Sequence, residues 1–518
     1  MAEGVINQGT VAAFAGLICC AVAFGARRPP RDELPDPTRW ALGERSLGTA
    51  ATCLLLGGTI YTSYTYIAVP GLMFGAGEVA LYALAYVTLL VPLIMVLFPR
   101  IRDVAARQGV ITTTDYVQVR HGSHALGLAT TFTGILATMP YLGLQVVGLA
   151  DVLQAMGFAS RGTVGLLALA VLFILFAVVA HPGGLRACVR LSLVKAVLIG
   201  AAAVVLLILT WTRLGSPGHV FALAAGRSAD TRQMLTRPPS SFTGYITLAV
   251  GSALAQLVYP QVFTVALVAR SRRTLRAATA FLPAWNLSLG LWAFFGVAAL
   301  AAGVHASSGY GGVAVPELIN AVAPPWLAGL LYGALAVAGL LPAVLMAMGM
   351  ALLFVRNVYV EYLNPTATPK HEVRSTRWPA LAIMAGAVVF AVLLKPQETV
   401  NLHLLGCVWI LQTLPAVVVS MFTRWFHHRA LLAGWAVGML TGTWLLVGRD
   451  GFSTVLHVAI GPLHASVYVA VAALALNLGA AAVLTPFLDR LGVERGKGGT
   501  ADGTPRQRRG SKYTFVVD

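Results

Sequence analysis

Apolar runs of about 20 residues recur along almost the whole chain, each long enough to cross a hydrocarbon core roughly 30 Å thick. Inside a bilayer every backbone N–H and C=O must find its partner within the protein, which leaves only helices and closed barrels. Barrel strands alternate between lipid and lumen over about 10 residues, whereas stretches such as Leu166–Ala180 are apolar on every side. The chain reads as an all-α polytopic membrane protein. Its composition agrees: 58% of the 518 residues are hydrophobic and 11% are charged, against about 25% charged in an ordinary soluble domain. A soluble enzyme, a disordered chain and a disulfide scaffold are excluded at this step.

Thirteen spans are expected, at about 5–26, 47–74, 78–99, 124–156, 162–180, 187–211, 243–268, 276–302, 326–354, 378–395, 401–422, 430–447 and 464–488. Of the 36 Lys and Arg residues, 28 fall in the C-terminal tail or in the loops after the odd-numbered spans, counting Arg190 and Arg276 at the adjoining span ends. Seven fall on the other side, and Lys195 lies within a span. Because basic loops stay in the cytoplasm, the N-terminus is expected outside and the tail inside, as in a multi-pass protein of the plasma membrane. The net charge of +17 is spread through short loops rather than gathered on one face, so no nucleic-acid partner is expected; the lipid bilayer is the partner. Cys19, Cys20, Cys53, Cys188 and Cys407 all lie in apolar segments and read as small buried residues. No basic stretch precedes the first apolar run, which reads as a membrane helix rather than a cleaved signal.

A transport site within a bilayer needs backbone polar groups freed from the helix ladder, and broken helices in matching positions of two halves supply them. The second span reads GGTIYTSYTYIAVPGLMFGAG, with Gly57, Gly58, a run of hydroxyl-bearing residues, Pro70 and Gly71. The seventh reads GSALAQLVYPQVFTV, with Gln256, Tyr259, Pro260 and Gln261. Each opens a group of five spans, 2–6 and 7–11, and odd-numbered groups in series have opposite orientations. The expected core is therefore a 5+5 inverted repeat with discontinuous helices. The organisation follows: a first helix and loop (1–46), two five-helix repeats (47–242, with its external loop, and 243–422), two further helices (423–490) and a disordered basic tail (491–518).

These residues resemble the sodium/solute symporters, and within them the monocarboxylate permease branch. The carriers are WALGERSLG at 40–48, YTSYTYIAVPG at 61–71, GVITTTDYVQVRHGS at 109–123 and MPYLGLQVVGLADVL at 139–153. GGLRA at 183–187, YPQVFTVALVARSRRTLR at 259–276, LLPAVLMAMGMALLFVRNVY at 340–359 and VWILQTLPAV at 408–417 follow in family order. The similarity runs from about Trp40 to Tyr362, and more weakly to about Thr423. It implies alternating access around a site near the midplane of the membrane.

A small carboxylate substrate needs N–H and O–H donors shielded from water, and half-helix N-termini provide some of them. Tyr61, Thr62, Tyr64 and Thr65 place hydroxyls around the break of the second span. Thr65 stands, by resemblance, where sugar-carrying relatives present a glutamine. Tyr141 and Gln145, four residues apart, share a helix face, and Tyr259 and Gln261 flank the break of the seventh span. The same residues can also join helices by packing and interhelical hydrogen bonds. Among the acids, Asp103 and Asp115 are expected to pair in a basic loop, and Asp151 to be solvated near the external surface.

The resemblance also implies a sodium site built from carbonyls at Gly58 and Tyr61 and from ninth-span groups at Ala338, Leu341 and Pro342. Coupled relatives carry Ser or Thr hydroxyls at the last two, and here Leu341 and Pro342 offer no side-chain oxygen. Ser192 stands where the family often carries an acid, and Lys195 lies three residues on. An intramembrane Lys costs about 2.5 kcal/mol or more unless it finds polar partners, snorkels or deprotonates. Its ammonium can replace a bound sodium ion, or it can snorkel to the cytoplasmic surface. The coupling ion is H+ or Na+; no organic cofactor is expected, and no metal beyond a coupling sodium ion. The sequence specifies no number of subunits. Import of a monocarboxylate such as pyruvate, lactate or acetate is the leading function. Sodium-coupled transport of another small solute, such as an amino acid, and a membrane-embedded enzyme are the alternatives. The chain carries no GxxxxGK[ST] motif for direct driving by ATP.

Overall fold

The computed structural model describes residues 7–25, 36–158, 163–227, 242–305, 311–393, 399–448, 453–460 and 463–496. Part of the loop after the first span (26–35), residues 228–241 of the external loop and the tail beyond residue 496 lie outside these residues, and the expectations for them do too. Helix fills most of each of the thirteen stretches. Among the described residues, seven helices are long and apolar enough to cross a membrane, or nine if each of two bent pairs is one span. The difference arises where a span is built from short pieces: Thr49–Ile60, for instance, has only 12 residues before the chain leaves the helix.

The centre of the molecule is the helix Pro325–Phe354, which is buried along nearly its whole length. Small residues let it be enclosed, with Ala and Gly dominating the stretch Gly333–Gly339. It packs against Gln8–Gly25, His124–Ala155 and Thr163–Leu214. The last of these is interrupted at Gly184, whose φ of 52° is left-handed. A side chain there would meet the Trp40 carbonyl at 2.4 Å, so the turn between the fifth and sixth spans requires glycine.

Three expectations are corrected. Residues 464–468 do not begin the last helix: Val455–Ile460 and Leu463–Tyr468 pair as an antiparallel hairpin, and helix starts at Val469. The β-branched residues Val455, Val458, Ile460 and Val467, with Gly461 and Pro462 between the two runs, favour extended chain over helix. Asp151 is buried and engaged rather than solvated, because its helix is surrounded by Pro325–Phe354 and Thr399–Ile410. Cys19 and Cys20 are exposed and Cys53 half-buried; only Cys188 and Cys407 are buried, and all five are free thiols.

Candidate functional site

The second span leaves the helix at Tyr61, where φ is −94° and ψ 105°. It resumes as a wide turn over Tyr64–Ala68 and then as the helix Val69–Ala76. Hydroxyl side chains compete with the backbone ladder, and here they take it over: Thr62 Oγ1 accepts from the Tyr64 amide at 3.2 Å. Gln145 closes the same gap from the neighbouring helix. Its Oε1 accepts from the Ser63 amide at 3.0 Å, and its Nε2 donates to the Tyr141 carbonyl at 3.0 Å and Thr62 Oγ1 at 3.4 Å. Gln145 is thereby committed to holding the break.

The carbonyls released by the break point at Lys195. Its ammonium donates to Gly58 O at 3.1 Å and to Tyr61 O, and lies 5.6 Å from the centre of the Tyr66 ring. Lys195 is 0% exposed, so it does not snorkel here. Ser192 and Leu341 close on the same spot: a Cβ built on Gly58 would lie 2.5 Å from Ser192 Oγ and 3.9 Å from Leu341 Cδ2. Ala338 and Pro342 are buried on the Leu341 helix, and Gly339, next to Ala338, presses on Ser63. The structure thus brings Gly58, Tyr61, Ser192, Lys195 and Leu341 together.

The seventh span bends by 56° between Phe242–Val258 and Pro260–Val268, with Tyr259 extended at the joint. Proline at the start of the second piece removes an amide the ladder would need. The two breaks meet through Tyr141, whose hydroxyl lies 3.2 Å from Thr62 Oγ1 and whose ring lies 5.5 Å from that of Tyr259. The Tyr61 hydroxyl instead donates to Asn286 and its ring stacks on Trp285, and the Tyr64 hydroxyl pairs with that of Tyr82. Thr65 is buried beside them. Gln261 differs: both amide atoms are buried without a hydrogen bond. It lines a cleft that reaches Thr59, Trp40 and Leu185. Gln256, beside the Tyr141 hydroxyl, likewise has neither amide atom in a well-formed hydrogen bond.

One residue at this junction was passed over in the sequence. His403 carries no metal-ligand spacing, yet its ring lies 4.5 Å from Tyr64, 4.6 Å from Tyr141, 6.1 Å from Tyr86 and 6.3 Å from Tyr259. The signal that finds it is the rule that an ionisable residue inside a membrane helix marks function by default.

The acids expected to pair do so at the end of the molecule that carries the 109–123 motif. Asp115 accepts from Arg356 at 2.8 Å and Asn357 at 2.9 Å, and Asp103 pairs with Arg102 and Arg272. Arg45 donates to the Leu267 carbonyl at 3.1 Å, and burial, with help from Arg102, pulls its guanidinium down to about 10. Burial also pulls His121 down to about 4. Among the described residues no His, Cys, Asp and Glu cluster could hold a metal ion.

A family model described as "Sodium:solute symporter family" matches residues 40–442. The "Monocarboxylate transport permease protein" of Rhizobium johnstonii is 36% identical over 90% of this chain and 93% of its own. The "Uncharacterized symporter YodF" of Bacillus subtilis is 26% identical, over 82% of this chain and 84% of its own. Among solved structures, the substrate-bound, outward-open state of a Na+-coupled sialic acid symporter superposes with a TM-score of 0.74. It covers 93% of this chain and 98% of that one at 15% identity. Mhp1, a nucleobase-cation-symport-1 family transporter, gives 0.57, covering 91% and 98% at 13% identity.

Proposed function

Because the chain belongs to the sodium:solute symporter family, we propose that it is a secondary active transporter that imports small monocarboxylates such as pyruvate, lactate or acetate, driven by protons without an obligatory sodium ion. The Rhizobium permease named for monocarboxylate transport supports the substrate class. Hydroxyls crowded around Tyr141 and a free Gln261 amide suit a small anion rather than a large polar solute. The observation that carries the coupling is Lys195, whose ammonium bonds the Gly58 and Tyr61 carbonyls while Leu341, with no side-chain oxygen, stands against them. The protonated amine there takes the place of a bound cation. It holds the second, sixth and ninth spans together, and losing its proton loosens them.

In this reading the thirteen spans cross the plasma membrane with the N-terminus outside and the tail inside, and spans 2–6 and 7–11 form the inverted repeat. The cleft between Gln261 and Trp40 is then the cytoplasmic vestibule. A second reading is sodium coupling, favoured by the family description: the same carbonyls are hard oxygen ligands once Lys195 withdraws. The first experiment is counterflow of labelled pyruvate into proteoliposomes, with lactate, acetate and alanine as competitors. Exchange inhibited by lactate and acetate and indifferent to alanine is expected; inhibition by alanine alone rejects the substrate class. Lys195→Gln, inserted and folded, should lower pH-driven pyruvate accumulation to an inside-to-outside ratio of about 1.

A further inference from the structure

His403 is 0% exposed and lies where the two broken helices meet. Four aromatic rings face it from four stretches of chain: Tyr64 from the second span, Tyr86 from Tyr82–Gln108, Tyr141 from His124–Ala155 and Tyr259 from the joint of the seventh span. Tyr468, just before Val469–Arg490, donates to the Leu404 carbonyl of the same helix at 2.6 Å. On its own helix Cys407 Sγ lies 3.7 Å from Nε2. All of these side chains are uncharged at neutral pH. Nδ1 is buried with no hydrogen-bond partner. A ring enclosed by neutral groups is held neutral, because an unpaired buried charge has nothing to offset its lost hydration. A carboxylate entering among the tyrosines reverses that balance, since an opposite charge within about 4–6 Å favours the protonated ring.

We propose, resting on the carboxylate reading above, that His403 carries the proton that travels with the substrate: it is neutral in the empty site and becomes imidazolium when the carboxylate binds. The proton comes from the solution on the side of entry, forms an N–H bond on the imidazole opposite the carboxylate, and leaves to the other side when the anion does. No covalent bond to the substrate forms. Empty carriers then return without a charge on His403, and a carboxylate without a proton leaves an unpaired anion in a sealed site. Binding of the two is mutually dependent.

The test is proton uptake when pyruvate binds to the purified full chain in weakly buffered detergent at pH 7. His403→Gln and His403→Asn, neutral side chains that keep a donor, are compared with wild type, and folding is checked by gel filtration. The wild type should take up about one proton more per bound pyruvate than either variant, and its pyruvate affinity should fall with rising pH where the variants' does not. Equal proton uptake in wild type and variants overturns the role of His403 and leaves carboxylate transport standing. A wild type that binds no pyruvate, lactate or acetate overturns the carboxylate reading and this inference with it. Should both variants misfold, 15N spectra of histidine-labelled wild type decide: one imidazole should convert to imidazolium on adding pyruvate, and no conversion overturns the proposal.

Discussion

Gln145 and Gln261 look alike in the sequence, each a carboxamide within four residues of a tyrosine in an apolar span, yet their surroundings divide them. Gln145 spends both amide atoms on the backbone of the second span and its own helix, while Gln261 spends neither. Removing a partner from a buried amide leaves a desolvated donor that costs about 1–3 kcal/mol. Gln145→Leu should therefore lower the melting temperature of the purified protein by several degrees. Gln261→Leu should leave it unchanged or raise it, while weakening pyruvate exchange by about tenfold, the equivalent of about 1.4 kcal/mol. Equal melting points for the two variants would contradict the assignment. This division was not legible in the sequence, because it depends on which amide reaches Ser63 across 82 positions. The contact of Lys195 with Gly58 and Tyr61 was anticipated, because the cost of a buried ammonium and two carbonyls freed by a break suit each other. His403 was not legible for the opposite reason: a lone histidine in an apolar span carries no local pattern, and its cage of tyrosines comes from four separate stretches of chain.

The elements follow from punctuation that a reader can see. Pro260 bends the seventh span at the expected place, and the hydroxyl run of the second span opens it at Tyr61–Ser63. The hairpin over 455–468 was less visible, because a β-branched apolar run of that length is also compatible with a helix. The close approach of Thr399–Ile410 to His124–Ala155 rests on Gly406, where a Cβ would lie 2.4 Å from both the Ala137 carbonyl and the Tyr259 hydroxyl. Backbone cannot yield there as a flexible side chain can, and overpacking of this kind costs about 1–3 kcal/mol. Gly406→Val should push the helix carrying His403 outward. The expected result is a lower melting temperature together with loss of pyruvate exchange; exchange at the wild-type rate would show that this contact does not shape the site.

For the molecule as a whole, stability at acidic pH is expected to have an origin separate from the proposed proton coupling. His121 donates through Nε2–H to the Ala416 carbonyl, 3.0 Å away, and burial holds it down to about 4 from an ordinary 6.5. Between those values the unfolded chain takes up a proton that the folded one refuses. Stability from this group is thus present above about 6.5 and is lost as pH falls toward 4. The melting temperature should drop between pH 7 and pH 4.5, and His121→Gln should reduce that drop without altering the pH dependence of pyruvate exchange above pH 6. A drop of the same size in the variant would assign the acid sensitivity elsewhere.

The proposed proton coupling turns on Lys195, whose ammonium bonds the Gly58 and Tyr61 carbonyls, standing in for a sodium ion. The most direct measurement is accumulation of labelled pyruvate in proteoliposomes under one imposed gradient at a time. With an inward proton gradient and no sodium on either side, pyruvate should concentrate several-fold inside. With an inward sodium gradient at equal pH, it should only equilibrate. Accumulation that needs the sodium gradient, is indifferent to the proton gradient and survives Lys195→Gln would contradict the account.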